Sequence, residues 1–316
     1  MKKDKYIQYL RGIAIISVIL IHILPNGFYT IIARQFINFC VGMFLFLSGY
    51  LVNKNIIDIK QFYIKRISRV VIPYIFWSII FIIKSDDYNV NSIIFRVITG
   101  QTCSIYYYII VYLEFILITP ILLRLVENKK CKYIWLLTPI SIVIIYIFSY
   151  IGLPIPFPYN VLSFTVWFIF YYYGLIIKNK NLELKLKLNR NIAIYLLFLT
   201  LSIIEGFLWN EFGNYSMAIS QIKLTSVFTS LYFIKILMGI KDKIKFESKI
   251  LKKVGDYSFG IYLTHMIFVD FYSRYISINY INTALIMVLV LISNCILIYI
   301  VNKLLGYKIS RIIGFV

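Results

Sequence analysis

The chain has 316 residues, of which 61% are hydrophobic and only 15% charged, with a mean hydropathy of +0.83. Those proportions lie far outside soluble globular domains and indicate an integral membrane protein. The formal net charge of +20 does not point to nucleic acid, because a basic groove needs water-exposed surface and almost every segment here is apolar.

Taken in order, Lys2, Lys3 and Lys5 precede the first apolar run in the manner of a secretory signal. No small-residue cleavage site follows, however, and Pro25-Asn26-Gly27-Phe28 leads into further apolar sequence, so the segment reads as a retained helix. Runs long enough to span, separated by charged or turn-forming segments, predict ten transmembrane helices at 12–29, 34–52, 68–84, 105–123, 133–150, 160–177, 191–209, 217–239, 257–274 and 281–302. Residues 85–104 carry Ile93, Ile94, Val97 and Ile98, one apolar helical face too short to cross and expected to lie on the outer surface. No internal repeat, low-complexity tract or heptad array is visible. The expected fold is all-α and polytopic, a single transmembrane domain over 1–316 with no soluble appendage.

The connections alternate in charge. One set holds Lys2, Lys3, Lys5 and Arg11; Lys54, Lys60, Lys65, Arg66 and Arg69; Arg124, Lys129, Lys130 and Lys132; Lys178, Lys180, Lys185, Lys187 and Arg190; Lys241, Lys243, Lys245, Lys249, Lys252 and Lys253; and Lys303, Lys308 and Arg311. The other set holds only Arg96 with Asp86 and Asp87, the loop of Pro154, Pro156 and Pro158, Glu211, and Arg274. Because Lys and Arg mark cytoplasmic loops, both termini are expected in the cytoplasm, which requires an even number of spans. Of Cys40, Cys103, Cys131 and Cys295, only Cys103 then faces outward, so no disulfide is expected, and no ligand spacing suggests a metal.

Two residues of the first helix carry the sharpest signal. At about 3.6 residues per turn, the step from Arg11 to His22 closes about three turns, which places both side chains on one face about 16.5 Å apart. With Arg11 at the membrane surface, His22 would sit near the middle of a hydrocarbon core about 30 Å thick. An ionisable group there is expensive and is therefore a functional candidate; the competing reading is a histidine that bonds a neighbouring helix.

An arginine, ten intervening residues and a histidine in the first transmembrane helix resemble the signature of the acyltransferase-3 family of integral membrane O-acyltransferases. Later stretches extend the likeness over most of the chain. Met43-Phe44-Leu45-Phe46-Leu47-Ser48-Gly49-Tyr50 is similar to the family's phenylalanine-rich Ser-Gly-Tyr or Ser-Gly-Phe motif. There Gly42 and Gly49 permit close backbone approach, and Ser48 either bonds across a helix interface or lines a cytoplasmic-side cavity. Lys65-Arg66-Ile67-Ser68-Arg69, followed by Pro73, resembles the family's Arg-x-x-Arg motif at the start of the third helix. Arg66 and Arg69 share a face and can grip a phosphate with forked donors, although basic residues here also serve topology and lipid headgroups.

Tyr106-Tyr107-Tyr108 to Pro120 matches the aromatic start and terminal proline of the family's fourth helix. Relatives often have a histidine and a tryptophan near that start, roughly where Ile105 and Tyr107 stand here, so no catalytic role is assigned there. Glu114, deep in this helix, and Glu205, near the outer end of the seventh, are candidates to bind sugar hydroxyls or to meet structural partners such as Lys223. The stretch from Gly255 through Tyr262 to His265 is similar to the family's late serine, glycine, tyrosine and histidine segment. His265 lies about 12 Å into its helix, while Gly260 and Thr264 form an ordinary helix-packing step.

The resemblance implies a bacterial, multi-pass enzyme of the cytoplasmic membrane. It would move an acyl group, chiefly acetyl, from cytosolic acetyl-CoA or another acyl-CoA to a hydroxyl of a cell-surface glycan or its lipid-linked precursor. His22 would act as general base or carry the acyl group transiently, and Arg11 would bind donor phosphate or orient the site. Lys65, Arg66, Arg69 and Ser48 would hold the donor, with Glu114, Glu205, Tyr262 and His265 serving the acceptor or the cavity. No cofactor is expected to be permanently bound, acyl-CoA being a substrate; membrane lipid and the saccharide acceptor are the other partners. The competing class is a transporter of a glycan or lipid-linked intermediate, which should show paired broken helices in two related halves; the sequence displays none.

The alternating basic connections predict that 54–65, 178–190 and 241–253 face the cytoplasm, whereas 85–104 and 151–159 face outward. Single cysteines placed in these stretches and treated with an impermeant thiol reagent should label in intact cells only in the second group. Labelling within 241–253 would overturn the topology.

Overall fold

The computed structural model describes residues 4–54, 56, 58–127, 133–180, 188–243 and 247–316. Lys2, Lys3, Lys129, Lys130, Cys131, Lys132, Lys185, Lys187 and Lys245, used above for topology or cysteine chemistry, lie outside them. Helix α1 (Lys5–Ile23) begins where the Asp4 carboxylate accepts the Tyr6 amide at 2.9 Å, and it ends just before Pro25. Helices α2 (Phe28–Ile37) and α3 (Phe39–Tyr50) form one rod interrupted at Asn38. Helix α4 (Ile59–Ser85) is capped by Asp58, which accepts the Gln61 amide at 3.0 Å, and leads to the short α5 (Val90–Ile98) and then α6 (Tyr107–Glu127).

Next come α7 (Leu137–Tyr150), the single turn α8 (Tyr159–Leu162) and α9 (Phe164–Asn179), the last two parted by Ser163, whose hydroxyl accepts the Thr165 amide. The chain continues with α10 (Leu188–Glu211), the single turn α11 (Tyr215–Ala218), α12 (Leu224–Gly239), α13 (Lys249–Asp256), α14 (Ser258–Ser273) and α15 (Thr283–Ile312). Among the described residues the structure is helical and contains no strand.

Helices occupy all ten apolar runs, and seven segments are long and apolar enough to cross a membrane: Lys5–Ile23, Phe28–Tyr50, Ile59–Ser85, Tyr107–Glu127, Tyr159–Asn179, Leu188–Glu211 and Thr283–Ile312. The first boundary differs from the expected 12–29. Asp4 supplies a cap, and Tyr6, Ile7, Tyr9 and Leu10 are buried, so the helix starts before the apolar run does. Arg11 therefore lies inside the second turn instead of at the mouth, and His22 lies in the last turn. Their spacing stands, but His22 is not at the midpoint of its helix.

Several expected helices are interrupted, and two of the interruptions meet. The Asn38 side-chain amide donates to the Ile219 and Ser220 carbonyls at 3.4 and 3.1 Å, so the gap between α2 and α3 faces the gap between α11 and α12. Averaged hydropathy runs through both gaps, which is why the sequence reading treats each as continuous. Residues 241–253, expected as a plain connection, contain most of α13, and the tail beyond 302 is helical on either side of a break at Gly306, as far as Ile312.

Lipid offers little hydrophobic drive for helices to associate, so close packing must hold them together. A Cβ on Gly49 would lie 2.2 Å from the Tyr171 carbonyl oxygen, and one on Gly174 would lie 2.2 Å from that of Phe46, so α3 and α9 meet backbone to backbone. The seat of α1 on α13 is similar: a Cβ on Gly255 would fall 1.8 Å from the Gln8 carbonyl oxygen, and one on Gly12 2.7 Å from that of Leu251. The outer faces of α10 and α15 expose Leu196, Leu197, Leu285 and Ile292, as lipid-facing surfaces require.

Gly49→Ala and Gly174→Ala each force a methyl against a backbone carbonyl and should cost about 1–3 kcal/mol. At Gly42 the obstacle is the edge of the Phe170 ring, which a rotation can relieve, so Gly42→Ala should cost less. Thermal midpoints in detergent give the ranking; parental stability in Gly174→Ala would contradict the close approach.

Candidate active site

Helices α1, α2, α3, α4, α6 and α14 surround a cavity of about 610 Å³, and Arg11 and His22 line it from the same face of α1. Ser48 reaches it from α3, Arg69 from α4 and Tyr262 from α14. Lys65 and Arg66 are not among the lining residues. The Arg66 guanidinium lies 5.2 Å above the Phe62 ring and donates to the Leu51 carbonyl at 3.4 Å. Three residues apart on one helix, Arg66 and Arg69 thus diverge, the first toward the end of α3 and the second toward the cavity.

The two histidines of the sequence come together. Their ring centroids are 5.6 Å apart with the planes inclined by 46°. His265 is fully buried, and its Nδ1 lies 3.0 and 2.9 Å from the carbonyls of Ile261 and Tyr262, contacts that assign the ring proton to Nδ1. Nε2 is then an acceptor, and it has no hydrogen-bond partner among the described residues. Helix α14 is pinned at this level by two tyrosines, since the Tyr106 hydroxyl donates to the Leu263 carbonyl at 2.7 Å and that of Tyr262 to the Ile105 carbonyl. Tyr262 is therefore both a cavity wall and a fastener.

Sequence reasoning passed over Arg34. This residue is 9% exposed and lines the cavity; its Nη1 donates to the Ile21 carbonyl at 3.2 Å and its Nε to Asn38 Oδ1 at 3.2 Å. A guanidinium is thereby held beside His22 by the same Asn38 that occupies the helix interruption. The rule that flagged His22, an ionisable residue within an apolar run, applies equally to Arg34. Arg311, read above only as a topology signal, also lines the cavity, as does Asp256, whose carboxylate accepts from Lys252 at 2.6 Å. Four arginines and one carboxylate therefore face the space among the described residues. Such a lining suits an anionic ligand, and an imidazole within it supplies a group able to exchange a proton.

Comparison with known families gives a match to the acyltransferase-3 model, described as an acyltransferase domain, over residues 4–303. The chain belongs to the acyltransferase-3 family. No curated protein and no solved structure matches it significantly. It is a multi-pass membrane acyltransferase, and α1, with Arg11 and His22, is one of the helices that line its cavity.

In this acyltransferase the two candidate glutamates lie away from the cavity. Glu114 accepts the Phe164 amide at 2.7 Å and so serves the positive end of α9. Glu205 accepts from Tyr146, from both the amide and hydroxyl of Thr225, and from the Trp209 indole at 3.4 Å, joining α7, α10 and α12. Lys223 is fully buried and donates to Gln35 Oε1 at 3.0 Å and to the Ser202 and Ala218 carbonyls, each at 2.9 Å. These contacts tie helices together.

Removing Glu205 strands several donors, each worth about 1–3 kcal/mol when left unsatisfied, whereas His22 makes no protein hydrogen bond among the described residues. Glu205→Ala should therefore lower the melting temperature by several degrees, on the order of the scale for small domains, and His22→Ala should lower it less. The reverse order in detergent would contradict the structural assignment of Glu205.

Proposed function

We propose that the protein is an O-acetyltransferase that moves acetyl from cytosolic acetyl-CoA to a hydroxyl of a cell-surface glycan or its lipid-linked precursor in the bacterial cytoplasmic membrane. The observation that carries this reading is the arginine-lined cavity leading to His22 in a member of the acyltransferase-3 family. Ten crossings with both ends cytoplasmic would put Arg11, Ser48 and Arg69 toward the cytosol and His22 and Arg34 toward the outer side, which suits a donor and an acceptor approaching from opposite ends.

His22 acts as the general base. Its unprotonated nitrogen takes the proton of the acceptor hydroxyl as that oxygen attacks the thioester carbonyl; the carbon–sulfur bond breaks, and the proton passes from the imidazolium to the departing thiolate. His265 stands beside it, ring centroid to ring centroid 5.6 Å, and closes that side of the imidazole. Arg34, on the carbonyl of Ile21, is placed to offset negative charge building on the carbonyl oxygen, while Arg11 and Arg69 hold donor phosphates and Ser48 adds a hydroxyl to the donor wall. Interrupted helices facing each other would also suit a transporter, but the family match supports acyl transfer.

A deletion strain should lack an ester in its surface polysaccharide by NMR, and the intact gene should restore it. His22→Ala should express at parental abundance in the membrane and lose about 10² to 10⁴ of the rate. Near-normal esterification by well-expressed His22→Ala would refute the base assignment, and loss confined to His265→Ala would move the base to α14.

A further inference from the structure

The family match ends at residue 303, yet the chain beyond it returns to the cavity. Helix α15 is broken at Gly306, whose φ of 69° and ψ of 179° form a conformation that residues with a Cβ rarely adopt. The break redirects residues 307–312, and a second glycine of positive φ, Gly314 at 80°, turns the chain again.

This segment is fastened down. The Trp77 indole donates to the Ile313 carbonyl at 2.9 Å and the Asn302 amide to that of Phe315 at 3.1 Å. Phe315 is 1% exposed and packs against Trp77 with ring centroids 5.7 Å apart. Gly260 makes room for it, since a Cβ there would lie 2.8 Å from the Phe315 ring. Tyr307, Arg311, Gly314 and Val316 consequently form part of the cavity wall.

Arg311 is the cation this wall contributes. Its side chain and that of Arg69 come from separate elements, and neither makes an ion pair with a carboxylate among the described residues. Among the described residues the one carboxylate of this lining, Asp256, accepts from Lys252, so the two guanidiniums suit a ligand that brings its own negative charge. Phosphate is the chemistry that two forked donors match best. We infer that Arg311 is a donor-binding residue that, together with Arg69, grips a phosphate of the acyl-CoA, so that the segment after the family-matched region sets the affinity for the nucleotide part of the donor. This rests on acyl-CoA being the donor.

The test uses the full-length protein in detergent free of anionic lipid, titrated with acetyl-CoA and with acetyl-pantetheine, which lacks the nucleotide phosphates. Arg311→Gln should bind acetyl-CoA about ten-fold or more weakly, the loss expected of one charge-assisted pair. It should bind acetyl-pantetheine as the parent does, and Arg311→Lys should recover part of the loss. Equal acetyl-CoA affinity in parent and Arg311→Gln overturns the inference and leaves the donor reading standing. Equal weakening for both ligands assigns Arg311 to the fold, and an effect seen only after anionic lipid is added assigns it to a lipid phosphate; either result overturns the inference. A parent that binds no acetyl-CoA removes the donor reading itself.

Discussion

The architecture depends on how closely α1 can sit on α13. With Gly255 beneath the Gln8 carbonyl and Gly12 beside that of Leu251, the two helices touch along their backbones, and only hydrogen fits at the contact points. Helix α13 runs into α14 across Tyr257, so the depth at which α1 is seated also fixes the height of His22 relative to His265. Side chains at that contact would move α1 outward and separate the imidazoles. The glycines thus bear on the spacing of the two imidazoles through geometry alone.

Electrostatics then defines what the cavity can hold. In a low-dielectric interior an arginine is expensive unless its donors are satisfied. Arg34 meets this with a carbonyl and an amide oxygen, both neutral, and so keeps its net charge available to the cavity. Lys223, buried nearby, is likewise surrounded by neutral acceptors, and its bonds are spent on holding helices together. The glutamates follow the opposite course, sitting away from the cavity where they accept from backbone amides and hydroxyls. Positive charge is left to dominate the cavity.

Much of this was legible in the chain. Apolar runs locate the helices, because length and hydropathy are local properties, and the step from Arg11 to His22 follows from helical period alone. The apposition of His22 with His265 was not, since contact between residues 243 positions apart depends on how α1 meets α14. Boundaries set by caps, such as Asp4 and Asp58, extend α1 and α4 beyond their apolar cores. The interruption at Asn38 escaped notice because one polar residue barely lowers a hydropathy average, and with it went the role of Arg34. Arg66 illustrates a further limit: the motif spacing puts it on the helix of Arg69, but only the position of Leu51 and Phe62 shows where it turns.

Covalent transfer is what separates an acyltransferase from a transporter. Purified protein in liposomes, supplied with acetyl-CoA labelled in the acetyl group on one side and surface polysaccharide or its lipid-linked precursor on the other, should yield glycan carrying base-labile label. Glycan or lipid intermediate that crosses the bilayer without acquiring label, in the presence of bound and unconsumed acetyl-CoA, would contradict it.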